Sequence, residues 1–365
     1  MMMPIERVKF YLKPLVDEIL DQLPDHVFTS DSTTFLDPAF GGGQFLREIV
    51  TRLRACGHSD DNIRARIYGC EITNFRVKYA QQLGKVISDN LIKADFLSHD
   101  WGDMKFDVIV GNPPYQDPTK PNNHNLWTQF VEQSFGLIKS DGHVAFVTPN
   151  VGRRQQVLQV FQSYEVVWYN GVDVKDHFQG VGSTFCAWVI KNCAKTGATT
   201  SVKQEGGHIA QVYVPADVPF WPLHVMPDTM SFIENMTSGA NKLDVRTDWG
   251  YHTQGKKDWF HDTQTQKFKY EFQNTSSSRK WCSQDHDRRT QPKVICSKSG
   301  YLKPWFDPGT TGVTENSWVV PVKNKTQAKK VIDFLESDDV KKFVNLATGG
   351  NTLVNDPHIY RMLKF

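Results

Sequence analysis

Short apolar runs alternate with helical patterns along the first half of the chain. Strands that alternate with amphipathic helices predict a mostly parallel sheet covered on both faces. The segment Leu126–Lys139 places its apolar residues on one side, as a sheet-covering helix requires. The last two predicted strands have no helical pattern between them, so we expect a hairpin. The predicted strands are Thr34–Asp37, Arg66–Glu71, Leu91–Ala94, Phe106–Gly111, His143–Thr148, Glu165–Tyr169 and Thr184–Ile190. The predicted helices are Leu12–Gln22, Gly43–Ala55, Thr73–Leu83, Leu126–Lys139 and Arg153–Ser163.

The pattern changes after the last of these strands. The stretch Lys191–Gly207 is polar and rich in small residues, which predicts a domain boundary. Beyond it, segments rich in Trp, Tyr and Pro are mixed with Lys and Arg, and helical patterns follow at Lys325–Leu335 and Asp338–Leu346. We therefore predict two domains, residues 1–192 and residues 193–365, of which the second is an α+β domain.

Charge differs between the two halves of the chain. Residues 1–190 hold 18 Lys and Arg against 22 Asp and Glu, whereas residues 191–365 hold 24 against 18. The basic second half suggests a surface that faces a polyanion, although chance variation can also produce such a split. The six cysteines form no Cys-x-x-Cys pair, and neither a signal-peptide core nor a long apolar run occurs. These features predict a cytoplasmic protein with reduced thiols, no membrane partner and no metal site.

The apolar run Phe106–Gly111 ends abruptly in Asn112-Pro113-Pro114-Tyr115. Each Pro fixes φ and lacks an N–H, so the strand can neither continue nor become a helix. The result is a stiff turn at the carboxyl edge of the sheet, where open α/β folds place their ligands. Its amide side chain, backbone carbonyl and aromatic ring are suited to holding a planar base by its exocyclic amine. The alternative is an ordinary Pro-rich turn.

Acidic residues follow the earlier strands in the same way. The Gly-rich turn Asp37–Gly43 lies after the first predicted strand, and Glu71 ends the second, where a carboxylate can accept the hydroxyls of a ribose. Asp95 follows the third strand and can accept from the amine of a bound adenine, with Phe96 or its neighbours covering the ring. Each acid alone could be a solvated residue, but their succession at strand ends favours a nucleoside site.

Together these motifs resemble the S-adenosylmethionine-dependent N6-adenine DNA methyltransferases of the γ motif order, the Eco57I/TaqI-like group. The resemblance covers most of residues 8–190, and the phrase FYLKPLVDEILDQL at Phe10–Leu23 resembles the family's N-terminal cofactor motif. It implies a Rossmann-like seven-stranded methyltransferase sheet, an α+β target-recognition domain and S-adenosyl-L-methionine as cofactor. The cofactor residues that it implies are Lys13, Pro14, Asp37, Pro38, Ala39, Gly41, Glu71, Ile72, Asp95, Phe96 and Asn112.

The resemblance also implies a mechanism. The catalytic motif is Asn112, Pro113, Pro114 and Tyr115, in which the Asn112 oxygen and the Pro113 carbonyl accept the two N–H groups of the adenine amine. Tyr115 and Phe178 stack on the flipped-out base, although Phe178 could instead be a core residue. The chain is thus expected to methylate N6 of adenine at specific sites in double-stranded DNA. No Glu-x-Lys triplet occurs, so we expect any cognate restriction endonuclease to be a separate chain.

Basic clusters lie among aromatic residues in the second predicted domain, as phosphate and sugar contacts require. Three other functions remain open from the sequence: an RNA base methyltransferase, a protein-glutamine methyltransferase, and a non-catalytic DNA-binding specificity subunit. The intact catalytic motif disfavours the non-catalytic subunit, and the large basic second domain disfavours the protein methyltransferase. The residues expected to contact DNA are Lys256, Lys257, Arg279, Lys280, Arg288 and Arg289.

Overall fold

The computed structural model describes residues 5–73, 89–117, 125–178, 184–247, 250–350 and 354–365, with side chains from residue 13 onward. The chain forms two units, Met1–Met230 and Ser231–Phe365. The boundary thus lies later than the predicted one after residue 192. The reason is that the polar segment after residue 192 continues the sheet of the first unit and does not link two domains.

The first unit contains a nine-stranded sheet. Its strands are β1 (Phe35–Asp37), β2 (Ile67–Glu71), β3 (Leu91–Lys93), β4 (Phe106–Gly111), β5 (Ile138–Pro149), β6 (Tyr164–Asn170), β7 (Phe185–Ala194), β8 (Thr200–Lys203) and β9 (Ile209–Val212). They are ordered β3-β2-β1-β4-β5-β7-β6-β8-β9. β1 to β5 pair in parallel, and β7 lies antiparallel between β5 and β6. This arrangement confirms the predicted Rossmann-like sheet and the pairing of the last two predicted strands.

Burial explains why these segments form strands. All of β1 is buried, as are five of the six residues of β4, so helices cover both faces of the sheet centre. β8 and β9 extend the sheet beyond the predicted seven strands, with β8 parallel to β6 and β9 antiparallel to β8. These two strands have partly exposed faces, and their apolar signal is correspondingly weak.

The helices of the first unit precede its strands or lie between them, and one lies at the boundary between the units. They are α1 (Ile5–Leu20), α2 (His26–Thr29), α3 (Gln44–Ala55), α4 (Asp60–Arg66), α5 (Leu126–Leu137), α6 (Gln155–Ser163) and α7 (Pro227–Thr237). α1 begins earlier than the predicted start at Leu12 and contains Pro14 in its interior. The predicted helix Thr73–Leu83 lies outside the described residues except for Thr73. A 3-10 helix, Val174–His177, precedes Phe178.

The second unit has an α+β structure. Its strands are β10 (Phe260–His261), β11 (Tyr270–Gln273), β12 (Arg279–Cys282), β13 (Lys293–Ser297), β14 (Trp305–Asp307), β15 (Gly312–Val313) and β16 (Ser317–Pro321), and its helices are α8 (Lys325–Leu335), α9 (Asp338–Thr348) and α10 (Pro357–Tyr360). One sheet has the order β10-β12-β11-β15 and the other β14-β13-β16. The side chains of Asn324 and Ser337 cap α8 and α9, which confirms the predicted helical pair.

The later boundary does not change the charge of the second unit. Residues 191–230 contain three basic and three acidic residues, so residues 231–365 keep 21 basic against 15 acidic side chains. Among the described residues, no helix has the length and apolar character that a membrane span needs, and no three His, Cys, Asp or Glu side chains are grouped as metal ligands would be.

Candidate active site

The carboxyl ends of neighbouring parallel strands bring the predicted polar residues to one edge of the sheet. Asp37 ends β1, Glu71 ends β2, Asp95 follows β3, and Asn112 follows β4 directly. β1 pairs with both β2 and β4, so Glu71 and Asn112 flank the turn that begins at Asp37. The structure therefore brings these four residues to the edge where ligands of open α/β sheets bind.

The Gly-rich turn after β1 is held by Glu71. The N–H of Gly41 donates to Glu71 Oε2 at 3.1 Å, and the N–H of Thr73 donates to Oε1 at 2.9 Å. Gly41 has a φ of 52°, a left-handed conformation that glycine adopts without strain. A Cβ added at Gly41 would meet only the carbonyl oxygen of Ala39, at 3.8 Å, so the backbone of the turn is open to a close approach.

These residues fit a nucleoside with a ribose. A carboxylate offers about four acceptor positions, so its bonds to the turn are compatible with bonds from ribose hydroxyls. The side chain of Ile72 is 68% exposed directly beside Glu71, where an apolar surface can cover a sugar or a base. Asp95 is exposed and accepts the N–H of Leu97 at 3.1 Å, which fixes the carboxylate at the same edge.

Asp37 is a buried carboxyl beneath this turn. It is 2% exposed and accepts the N–H of Ala39 at 3.1 Å. Burial raises the pKa of Asp37 to about 8, the Ala39 bond opposes the rise, and the charge of Glu71 adds to it. An added Cβ at Gly111 would lie 2.8 Å from Asp37 Oδ1, so only glycine lets β4 pass so close to this carboxyl. Asp37 therefore stabilises the turn by accepting the N–H of Ala39.

We expect Asp37→Asn to stabilise the protein increasingly as pH rises from about 4 to about 8. In this window the folded protein keeps the Asp37 proton while the unfolded chain releases it, so the free energy of unfolding of the wild type falls by up to about 1.4 kcal/mol per pH unit. Asparagine keeps the oxygen that accepts from Ala39 and does not ionise. Chemical denaturation at several pH values measures the difference.

Asp107 provides a control of opposite sign. Burial raises the pKa of Asp107, but hydrogen bonds from Lys139 and Thr34 outweigh it and lower the pKa overall. Its stabilising contribution is therefore present above its ordinary pKa and lost as pH falls, so Asp107→Asn should destabilise the protein at neutral pH. A pH-independent difference for Asp37→Asn would contradict the buried, protonated Asp37.

The predicted catalytic motif, Asn112 to Tyr115, forms a short turn after β4. The hydroxyl of Tyr115 donates to Asn112 Oδ1 at 2.6 Å, and the carbonyl of Tyr115 accepts the N–H of Leu126 at 3.1 Å, which ties the turn to the start of α5. Burial raises the pKa of Tyr115, so its hydroxyl remains a donor. Asn112 is half-buried, Pro113 buried and Pro114 exposed. The bond from Tyr115 thus holds the amide oxygen in place at this turn.

Three aromatic rings lie beside this turn. Tyr115 and Phe178 both pack on the buried Phe185, with centroid distances of 5.1 Å and 4.8 Å. Phe178 is half-buried, so its exposure does not distinguish a core residue from a stacking ring. The sequence interpretation missed Phe185. Its position at the first residue of a strand beside β5, at the edge where β4 ends, is a signal that could have identified it.

Two predicted cofactor residues lie elsewhere than expected. Phe96 is 1% exposed and stacks on Phe130 at 5.1 Å, so its ring lies in the core and does not face the open edge. The cause is that Asp95 faces the edge, which turns the next side chain inward. Lys13 forms ion pairs with Asp17 at 2.8 Å and Glu48 at 2.7 Å.

Lys13 and Pro14 lie inside α1, within the predicted helix Leu12–Gln22, and both side chains are exposed. The ion pair with Glu48 joins α1 to α3 on the protein surface. The described structure therefore gives Lys13 a role between two helices, and a role toward the cofactor is left as a prediction.

Some of the basic residues predicted to contact DNA form ion pairs or ring contacts within the protein, and others have exposed side chains without such a partner among the described residues. Arg279 pairs with Glu271 at 2.6 Å, Lys280 pairs with Asp262, and Lys256 lies 4.0 Å from the centroid of the Trp259 ring. The remaining three residues lie on or beside the 3-10 segments Lys257–Trp259 and Asp287–Thr290. They are Lys257, Arg288 and Arg289.

Arg288 and Arg289 differ in their surroundings. Arg289 pairs with Asp285, donates to the carbonyl of Thr310 at 2.9 Å and stacks 5.0 Å from the Tyr270 centroid. The side chain of Arg288 is exposed and has no hydrogen-bonding partner within the described ranges, and the same is true of Lys257. Arg288 and Lys257 are therefore the two available cations of the six predicted.

An exposed tyrosine was missed. Tyr301 is 71% exposed and lies on a loop that backbone hydrogen bonds hold. The N–H of Asn355 donates to the carbonyl of Lys298, and the N–H of Lys298 donates to the carbonyl of Asn316. The Asn355 side chain also donates to the carbonyl of Gly300 at 2.7 Å. A hydrogen-bonded loop that exposes an aromatic ring is suited to contact with a sugar or base. The phrase KSGYLK, with lysines on both sides of Tyr301, is a signal that could have identified it.

Comparison with known proteins gives a family match within the first unit. Residues 49–164 match the family model described as Eco57I restriction-modification methylase. Over 207 residues the chain is 26% identical to the modification methylase CviBIII of Paramecium bursaria Chlorella virus NC1A, covering 52% of this chain and 51% of that protein. It is 34% identical over 160 residues to the type II methyltransferase M.VspI of Vibrio sp. (strain 343), covering 39% and 36%.

Solved structures resemble the chain more distantly. A class I S-adenosylmethionine-dependent methyltransferase from Listeria monocytogenes aligns with a TM-score of 0.41 at 15% identity, covering 52% of this chain and 61% of that one. The type IIL restriction-modification enzyme MmeI, solved in complex with DNA, aligns with a TM-score of 0.48 at 13% identity, covering 98% and 66%.

Together the family match and the relatives confirm the predicted resemblance to Eco57I-like methylases, and with it the cofactor, S-adenosylmethionine. The match covers the centre of the first unit, from α3 to the end of α6. The chain spans about half the length of CviBIII and about a third of M.VspI.

Proposed function

We propose that this chain transfers a methyl group from S-adenosylmethionine to N6 of an adenine that is flipped out of double-stranded DNA at a specific site. The observation that carries the proposal is the Asn112 side chain at the carboxyl end of β4, with its oxygen fixed by the hydroxyl of Tyr115 at 2.6 Å. Residues of the adjacent turn, with Glu71 and Asp95, would hold the cofactor, which when bound supplies an activated methyl group.

Asn112 acts on the target amine. An amide oxygen has two acceptor positions, so Asn112 Oδ1 can hold the Tyr115 hydroxyl and one N–H of the adenine amine together. The Pro113 carbonyl accepts the other N–H. These bonds strengthen as the nitrogen becomes tetrahedral and positively charged, so they favour the transition state over the ground state. The amine becomes cationic as it is methylated and then loses a proton to solvent, so no carboxylate or histidine base is needed at the turn.

The aromatic residues hold the flipped base. Tyr115 and Phe178 pack on the shared neighbour Phe185, and stacking on their rings offsets the cost of taking the base out of the duplex. Phe185 is 2% exposed and so supports the two stacking rings from the core. In this proposal the basic second unit recognises the DNA site. Any cognate restriction endonuclease would be a separate chain.

Methyl transfer from tritiated S-adenosylmethionine to unmethylated genomic DNA tests the proposal. Digestion of the product to nucleosides identifies the modified base, and sequencing with detection of modified bases gives the site. We expect N6-methyladenine in one sequence context. Label in RNA or protein but not in DNA, or no label with any of the three, would contradict the proposal.

We expect Glu71→Ala to weaken cofactor binding first. The loss of a charge-assisted hydrogen bond to a ribose costs about 1.5–3 kcal/mol, or roughly 10- to 150-fold in Kd. Calorimetric titration with S-adenosylmethionine measures it. Glu71→Gln is the matched control, because it keeps the shape of the side chain and one acceptor oxygen, and it should lose less affinity. An unchanged Kd for Glu71→Ala would mean that this carboxylate serves only the turn.

We expect Arg288→Ala, and not Arg289→Ala, to weaken DNA binding while leaving the free energy of unfolding unchanged. Arg288 is an exposed cation that can neutralise a phosphate, whereas Arg289 is occupied by Asp285 and the Thr310 carbonyl. Each phosphate that the protein no longer neutralises lowers the slope of log affinity against log salt by about 0.9. Fluorescence anisotropy with a labelled duplex over a salt series measures both affinity and slope.

Arg289→Ala is the matched neighbour in this experiment. Its main expected effect is lower stability of the second unit, because it removes the bonds to Asp285 and Thr310. If Arg288→Ala keeps the affinity and slope of the wild type, the recognition face lies elsewhere on the second unit, and Tyr301 becomes the next side chain to test.

A further inference from the structure

Four polar residues form a cluster at one end of the extended sheet in the first unit, which we define as the Lys203 cluster: Glu18, Asn170, Asp173 and Lys203. Lys203 Nζ lies 2.7 Å from Glu18 Oε1 and 2.8 Å from Asp173 Oδ2. Asn170 Nδ2 donates to Asp173 Oδ1 at 2.9 Å and to Glu18 Oε2 at 3.3 Å. One lysine and one amide thus hold both carboxylates.

The cluster joins three parts of the first unit. Glu18 lies on α1, Asn170 ends β6, and Lys203 ends β8, where its Cα is the partner of the Asn170 Cα. Asp173 precedes the 3-10 helix Val174–His177, and the chain then reaches Phe178. Lys203 therefore acts on the segment that carries the proposed stacking ring, from a strand outside the seven of the predicted sheet.

The segment between Asn170 and Phe178 is held closely. The Asn170 oxygen accepts the N–H of Val172 at 3.0 Å, the Asp173 carbonyl accepts the N–H of Asp176 at 3.0 Å, and the Lys175 carbonyl accepts the N–H of Phe178 at 2.9 Å. Val174 is fully buried in the core that α1 also lines. The path from Asp173 to the Phe178 ring is therefore short and ordered.

The charged side chains of the Lys203 cluster are largely buried, so their interactions are weakly screened by solvent. The Lys203 side chain is 16% exposed and that of Glu18 23%. Burial lowers the pKa of Lys203, but the bonds to Asp173 and Glu18 outweigh it and raise the pKa overall, so Lys203 is a cation at neutral pH. Without it, two half-buried carboxylates would face each other uncompensated, and removal of one partner from such a cluster is strongly destabilising locally.

We infer that Lys203 is a positioning residue for base stacking: by neutralising Glu18 and Asp173, it fixes the segment that places Phe178 beside the flipped adenine. The inference rests on the proposed function, because it needs a base to be held between Tyr115 and Phe178. Lys203 itself touches neither the catalytic turn nor the turn after β1.

A double-mutant cycle on the rate of methyl transfer tests the inference. Single-turnover transfer from tritiated S-adenosylmethionine to unmethylated genomic DNA is measured for the wild type, Lys203→Met, Phe178→Ala and the double variant. We expect Lys203→Met to slow transfer about tenfold, since small misplacements of a positioned group cost of this order or more. In the Phe178→Ala background the same change should have little further effect.

Two further variants serve as controls. Lys191→Met removes a lysine of β7 that pairs with the exposed Asp141 at 2.7 Å, and it should leave the rate unchanged. Lys203→Arg keeps the charge and should keep most of the rate. If Lys203→Met fails to fold, Asp173→Asn removes one of the paired carboxylates and should slow transfer in the same Phe178-dependent way.

An unchanged rate for Lys203→Met, or an equal slowing in both backgrounds, would overturn the inference. A wild-type chain that methylates no DNA would instead contradict the proposed function. In that case hydrogen exchange of residues 171–178 decides the structural claim: faster exchange in Lys203→Met than in Lys191→Met supports it, and equal exchange overturns it.

Discussion

Replacement of Asn112 by Ala is expected to slow methyl transfer by about 10²–10³-fold, the loss typical of a fixed group that stabilises charge in a transition state. In the proposed mechanism the amide oxygen accepts from the target nitrogen only in the catalytic complex, whereas we expect cofactor affinity to depend mainly on Glu71 and the turn after β1. Single-turnover rates and calorimetric titration with S-adenosylmethionine, measured on the same preparation, separate the two effects.

Two variants sharpen this experiment. Asn192→Ala removes an amide from the other end of the sheet, where it donates to the carbonyl of Lys139 at 3.0 Å, and it should leave the rate unchanged. Tyr115→Phe keeps the stacking ring and loses only the hydrogen bond to Asn112. That bond is worth about 0.5–1.5 kcal/mol, so we expect a loss of roughly 2- to 13-fold. Near-normal turnover of Asn112→Ala would refute the proposed mechanism.

The sheet was largely predictable because its strands are buried on both faces. β4 was predicted to the residue, since Phe106–Gly111 is an apolar run that ends at two prolines. β8 and β9 were missed because they lie at the end of the sheet and are partly exposed. Their sequences are therefore polar and resemble that of a linker. The Lys203 cluster depends on β8, so it could not be found from the sequence.

The candidate site shows the same limit. Glu71 and Asn112 were predictable because position at a strand end is a local property that places them at one edge. The inward side chain of Phe96 depends on Phe130, 34 residues later along the chain, and the ion pair of Lys13 depends on Glu48. Local patterns do not specify such partners, so roles that require a free side chain are the least predictable.

The basic surface of the second unit extends this point. Arg288 and Arg289 are neighbours of identical type, and only the structure distinguishes them, because Arg289 meets Asp285 and the Thr310 carbonyl. Thr310 lies in the turn that Asp307 organises after β14. The buried ion pair between Lys293 and Asp307 also holds the segment that carries Arg288, because Lys293 donates to the carbonyls of Arg289 and Gln291.

Removal of the Asp307 carboxylate is expected to destabilise the second unit by about 3–5 kcal/mol, because the buried ammonium of Lys293 then loses its counter-charge. Asp307 is 0% exposed and accepts from Lys293 Nζ, from the Thr310 N–H at 3.0 Å and from the Thr310 hydroxyl at 2.7 Å. Lys293 is 2% exposed and also donates to the carbonyls of Arg289 at 2.8 Å and Gln291 at 3.0 Å. Urea denaturation of Asp307→Ala measures the loss.

The double variant Asp307→Ala with Lys293→Met shows whether the stranded charge causes this loss. Removal of both charges leaves no uncompensated ammonium, so most of the stability should return. Asp333→Ala breaks an exposed pair with Lys329, 2.7 Å long, and should change stability little. If the double variant is as unstable as Asp307→Ala, the loss comes from the Thr310 bonds and not from Lys293. If Asp307→Ala unfolds at the same urea concentration as the wild type, the pair does not hold the segment that presents Arg288, and the recognition surface must be ordered by other contacts.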